Sequence, residues 1–205
     1  RRKASFGTGA HVSLYGPRIP GSRKFLGGSP NADKTALLGV PANHRYVVKL
    51  DLKTGEVSTL PDACPRGKFK WLRGVLAPCG SVFCIPACAD CVLRIHPDGT
   101  ISTLGHEAVA QAASSGPGEW LYHGGALGVD GLIYAIPANA DRVMRIDPAT
   151  GVAELVGPVL QAGLTNRWYG GIKAEDGAIW GMPYNAPTAL KIVPATGEIS
   201  EVGTL

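Results

Sequence analysis

Residues 133–151 read IYAIPANADRVMRIDPATG, and the chain spells nearly the same phrase three more times: LLGVPANHRYVVKLDLKTG at 37–55, VFCIPACADCVLRIHPDG at 82–99 and IWGMPYNAPTALKIVPATG at 179–197. Aligned on their shared proline, Pro41, Pro86, Pro137 and Pro183 fall 45, 51 and 46 residues apart. Twelve or thirteen residues before each lies a glycine, Gly28, Gly74, Gly125 or Gly171. Two anchors in fixed relation mark a repeat architecture, which has to be recognised before any other assignment is made.

Within a unit the apolar residues recur with a period of two, not 3.6. VVKLD, VLRIH, VMRID and ALKIV each set aliphatic residues around a single Lys or Arg, so they read as strands. The tails EVSTL, TISTLG, VAELVG and EISEVG carry the alternation past a tight turn. In DPATG the proline presets φ and the glycine supplies a left-handed turn position. A second turn, seen in APCGS, GVDGL and AEDGA, separates the glycine-led strand from the one ending in proline. Each unit is therefore a meander of four strands, A to D.

A four-stranded meander of about 45 residues that cannot bury both faces alone is one blade of a β-propeller. The expected class is all-β, with four-stranded antiparallel blades at about 25–60, 69–105, 119–157 and 167–203 within a region 25–205. The four either close as a small ring or form part of a larger one. Residues 1–24 read as a basic arm, with His11–Gly16 a stray strand D belonging to an earlier blade. The insertion GHEAVAQAASSGPGEW accounts for the 51-residue spacing and carries a short helix over Glu107–Ala113 on the top face.

Of 205 residues, 45% are apolar and 18% charged, an ordinary globular composition with no apolar run long enough to span a bilayer. Six basic residues and no acid fall within 1–32, leaving 14 basic against 16 acidic groups elsewhere. The blades thus lack the clustered cations that nucleic acid requires. Methionine occurs only at 144 and 182, which reads as a processed chain or a fragment. The acid-free arm resembles the mature end of an organelle-import peptide, the plain alternative being a solvated arm; the compartment is then an organelle interior or the cytoplasm.

The pattern of Trp-x-x-Gly, Asp-Gly-x-Ile-Tyr, Ile-Pro-x-Asn and Ile-Asp-Pro-x-Thr-Gly is similar to propeller repeats of algae and other protists. More distantly it resembles virginiamycin B lyase-type and gluconolactonase-type propellers. Those two likenesses imply a metal held on the axis by acidic, Asn or His side chains. Strand A here carries no carboxylate pair, and no nucleophile elbow or phosphate loop is present.

The D–A and B–C loops of a propeller share one end, here the top. Asn43, Cys88, Asn139 and Asn185 occupy equivalent B–C positions there, and Trp71, Trp120 and Trp168 enter strand A from the same end. With His123 they form the expected binding face, although turn-capping Asn and blade-packing Trp are the plainer roles for these types. The five cysteines, Cys64, Cys79, Cys84, Cys88 and Cys91, allow a zinc set of His44, Cys88, Cys91 and His123, or a Cys88–Cys91 disulfide. Reduced structural thiols are the simplest reading. Lys49, Arg94, Arg145 and Lys191 recur on strand C, where each stem is expected to pack between sheets with its head solvated or paired to Asp51 or Asp147. The function expected is a non-catalytic scaffold without cofactor that binds protein partners. It would act as an accessory subunit with no membrane span, and peripheral association with a membrane complex fits that role. The competing class is a metal-dependent lyase or lactonase working through the axial loops.

Overall fold

The computed structural model describes residues 3–6, 10–114, 119–160 and 163–203. Strands β1 (Lys3–Phe6) and β2 (Ala10–Ser13) pair antiparallel as a separate two-stranded sheet. Blade one contains β3 (Phe25–Pro30), β4 (Ala36–Pro41), β5 (Val48–Asp51) and β6 (Val57–Thr59). Blade two contains β7 (Trp71–Leu76), β8 (Val82–Pro86), β9 (Val92–Ile95) and β10 (Ile101–Leu104). After α1 (His106–Ser114), blade three contains β11 (Tyr122–Leu127), β12 (Ile133–Pro137), β13 (Val143–Ile146) and β14 (Ala153–Val156). Blade four contains β15 (Trp168–Lys173), β16 (Ile179–Pro183), β17 (Ala189–Val193) and β18 (Glu198–Val202). Each is a simple antiparallel meander, and the four sheets make a β-propeller.

Alternation along each strand sends one set of side chains to the preceding blade and the other to the next. In β12, Ile133 and Ala135 join Phe83 and Ile85 of blade two, whereas Tyr134 and Ile136 join Trp168 and Ile179 of blade four. A third core, around Leu38, Val40, Trp71, Val82 and Leu93, joins blades one and two. Among the described residues no core joins blade four to blade one, so the blades form an open arc.

The first strands lie against one another along the axis, and glycine recurs where they are crowded by each other or by the second strand of the same blade. A Cβ on Gly125 would sit 2.6 Å from the Tyr134 carbonyl oxygen, and one on Gly171 would sit 3.0 Å from the Gly125 backbone. Each first strand also carries a bulge, where the register shifts in all four blades. The bulged residue is left-handed at Gly27, Arg73, Gly124 and Gly170.

The outer turns carry the expected left-handed glycine at Gly55, Gly99, Gly151 and Gly197, and in blades one and three an aspartate adds further bonds. In blade three, Asp147 accepts bonds from the Ala149 and Thr150 amides and the Thr150 hydroxyl, while the Gly151 amide reaches back to the Asp147 carbonyl. Asp51 does the same for Lys53, Thr54 and Gly55. The expected stray strand overlaps β2 over His11–Ser13, and its partner is β1 rather than a blade. Arg1 and Arg2 of the basic arm lie outside the described residues.

Candidate functional site

The top of each blade begins with a three-residue phrase that the sequence disguises. Arg23, Phe69, Trp120 and Asn166 all adopt left-handed φ values of 48°, 49°, 52° and 51°. The next residue, Lys24, Lys70, Leu121 or Arg167, leads into Phe25, Trp71, Tyr122 or Trp168, each paired with the repeat proline. Trp120 is therefore not the counterpart of Trp71 and Trp168, as its residue type suggests; Tyr122 is. Trp71 and Trp168 are fully buried, their indole N–H groups donating to the Cys91 and Thr188 carbonyls at 2.7 and 2.6 Å. They offer no surface to a ligand.

The repeated Asn spans two blades. Asn139 Nδ2 donates to the Glu119 carbonyl in its own blade at 2.7 Å, and its Oδ1 accepts the Asn166 amide of blade four at 2.6 Å. Asn43 likewise donates to Ser22 and accepts from Phe69 of blade two. Cys88, half-buried in the same position, receives the Trp120 amide on its sulfur. Asn185 donates to Thr165, but among the described residues its Oδ1 accepts nothing, because it faces the open end of the arc.

Two buried cations complete these joints. Lys70 Nζ donates to the Ala42 and His44 carbonyls of blade one at 2.8 and 2.9 Å, and Arg167 donates to the Ala138 and Ala140 carbonyls of blade three. Burial holds the pKa of each cation below its ordinary value. Sequence reading missed both. The available signal was a cation directly before the first-strand aromatic, in Lys24-Phe25, Lys70-Trp71 and Arg167-Trp168.

What remains open on the top is a run of rings. Phe69 tilts against Trp120 at 5.0 Å, Trp120 lies parallel to His123 at 6.4 Å, His123 stacks on Tyr169 at 3.7 Å, and Tyr169 on Tyr184 at 4.4 Å. Arg23 sits over the Phe69 ring, and Tyr184 is 63% exposed. Burial, with a smaller contribution from Arg73, holds the His123 imidazole below its ordinary pKa, and its Nδ1 is buried without a partner. Arg73 is exposed and donates to the Gly171 carbonyl of blade four at 3.2 Å. Phe69, Tyr169, Tyr184 and Arg73 were not anticipated, since their adjacency depends on how the blades are rotated.

His44, Cys88, Cys91 and His123 do not come together as one metal set. His44 is held in blade one between Phe25 and Tyr46, whereas His123 belongs to the ring run. All five thiols are free. On strand C, Arg94 and Lys191 lie over the Phe83 and Trp180 rings, while Arg145 pairs at 2.6 Å with Glu154 directly across the strand pair rather than with Asp147.

In fold the chain is similar to a catalytically inactive form of virginiamycin B lyase from Staphylococcus aureus solved with quinupristin, at 12% identity and TM-score 0.70, covering 89% of this chain and 57% of that one. It is also similar to hydrazine synthase from Kuenenia stuttgartiensis, at 14% identity and TM-score 0.64, covering 95% and 53%. A third likeness is an auxiliary nutrient binding protein from Bacteroides thetaiotaomicron, at 14% identity and TM-score 0.58, covering 86% and 40%. At such identities these likenesses show the fold alone, and the chain spans little more than half the length of the lyase it matches. No curated protein matches its sequence. Residues 85–205, more than half of the chain, match the family described as Repeat of unknown function (DUF6923), and the chain belongs to that family.

Proposed function

We propose that this chain is a non-catalytic propeller module that binds a protein partner through its top face, as an accessory subunit of a larger assembly. The run of rings from Phe69 to Tyr184, flanked by Arg23 and Arg73, carries the reading, because aromatic and arginine side chains are what protein interfaces concentrate at their centres. General acid–base chemistry needs groups within hydrogen-bond reach of one another. Among the described residues no carboxylate bonds to His123, the one imidazole of the run. The basic residues of the arm at 1–24 serve in this proposal as a second attachment element.

The test compares the chain with a Trp120→Ala, Tyr184→Ala variant in co-purification from its native source. The variant is expected to lose the partner while its unfolding midpoint stays near that of the parent. Undiminished partner recovery would overturn the reading. One observation favours a lyase-like alternative: burial lowers the pKa of the His123 imidazole, which lies on a first strand, and a histidine-to-alanine form of the Staphylococcus lyase is catalytically inactive. Turnover of quinupristin or another cyclic ester that His123→Ala abolishes without unfolding would establish that alternative.

A further inference from the structure

Blade two departs from the repeat in two places that are far apart in sequence. Its B–C loop reads PACADC, placing Cys91 where the sister loops hold Tyr46, Arg142 and Thr188. Its D–A connection, residues 105–121, is six residues longer than the connections 60–70 and 157–167 and carries α1, the one helix among the described residues. Ala108, Val109 and Ala112 bury α1 in the core between blades two and three, which fixes the position of its first residue, His106. The two departures meet there. A carboxylate oxygen of Asp90, the Sγ of Cys91 and a ring nitrogen of His106 all lie within 4.8 Å of one another.

We propose that Asp90, Cys91 and His106 bind a zinc ion, with solvent in the fourth position. A thiolate, an imidazole and a carboxylate suit zinc, whereas calcium and magnesium prefer all-oxygen shells. Bond lengths of about 2.0–2.3 Å put tetrahedral ligand atoms roughly 3.3–3.8 Å apart, so closure needs a shift of about an ångström. Asp90 and His106 are exposed and can supply it by side-chain rotation; the buried Cys91 sulfur stays in place. A cavity of about 330 Å³ lined by Cys88, Asp90, His106 and Leu121 opens at the two exposed ligands, with the Cys91 sulfur buried behind them. On binding, the Cys91 S–H proton passes to solvent as the S–Zn bond forms, and no electron changes hands. The ion would staple the inserted helix to the CADC loop, independently of any partner at the rings.

Cobalt(II) titration of the chelator-treated chain tests the site. One equivalent should bind with a thiolate-to-cobalt band in the near ultraviolet and intense tetrahedral bands in the visible, and zinc should displace it. His106→Ala and Asp90→Asn, both on the surface, should each weaken binding at least tenfold, and Cys91→Ser should abolish the ultraviolet band. Weak octahedral spectra without a thiolate band would overturn the proposal. So would full-strength binding in His106→Ala, which would place the ion on other thiols.

Discussion

Replacing Asn139 by alanine leaves two backbone groups stranded, the Glu119 carbonyl of its own blade and the Asn166 amide of the next. Unpartnered groups at a joint this closed cost about 1–3 kcal/mol each, so Asn139→Ala should lower stability by about 2–6 kcal/mol. Asn185→Ala should cost less than about 1 kcal/mol, because its amide makes one exposed bond and faces no following blade. Urea unfolding of the two variants decides the matter, and equal losses would show that the Asn is a local cap rather than a joint. The recurrence of Asn after Pro was legible in the sequence, but its partners were not. The acceptor lies 20 residues back in Glu119 and the donor 27 residues on in Asn166; the first is met by pairing within the blade, the second only by seating one blade on the next. Trp120 misled for a related reason: its residue type matched Trp71 and Trp168, while its left-handed backbone matches Arg23, Phe69 and Asn166.

Among the elements, the hairpin turns tie stability to pH. Hydrogen bonds from the Ala149 amide and then the Thr150 hydroxyl hold the Asp147 carboxyl below its ordinary pKa, and the Thr54 amide and hydroxyl do so for Asp51. A carboxylate depressed in the folded state stabilises it above the unfolded pKa of about 3.9, and that contribution is lost as pH falls through the folded value. Stability should therefore decline as the pH drops below about 4. Asp147→Asn keeps acceptor geometry without a titrating group, so it should flatten that decline in acid unfolding curves. A decline of unchanged slope would exclude the turn as its source. The sequence showed these turns through Pro and Gly, and the aspartate's role was hidden because Asp also reads as a solvated strand end. The first-strand bulge adds a second case. Gly27, Gly124 and Gly170 take its left-handed residue at no steric cost, whereas Arg73 at φ 64° bears strain of about 1–2 kcal/mol. Arg73→Gly relieves the strain and loses the bond to Gly171, so thermal unfolding should shift little while partner binding through the ring face falls. A large drop in the unfolding midpoint would assign Arg73 to structure instead.

Across the whole molecule, all three joints share a backbone bond from the residue before the first-strand aromatic. Two of them add the Asn and the buried cation where blade two has Cys88 and blade three Leu121, and the arc's two ends carry unmatched halves of that scheme. A following blade would place a cation on the Tyr184 and Ala186 carbonyls and an amide on Asn185 Oδ1, by analogy with Lys70 on Ala42 and His44 and with Phe69 on Asn43. The arrangement is that of a linear array, in which stability is a sum of repeat terms and nearest-neighbour terms. The alternation of apolar residues fixed each blade's two faces and so was legible in the sequence. Whether the ring closes was not, because closure depends on small rotations that accumulate over blades. Gly203 repeats the left-handed backbone of Gly157, with φ of 78° at both, so a second copy of residues 158–203 can be fused after Gly203 in register. The copied Arg167 should then seat on the Tyr184 and Ala186 carbonyls, and the fusion should unfold in one transition with a raised midpoint. Exchanging only that copied arginine for methionine should remove much of the gain, since it leaves the two carbonyls without their donor. Two separate transitions, with the original midpoint unchanged, would mean that the last blade's outer face does not accept a neighbour by the scheme that joins blade one to two and blade three to four.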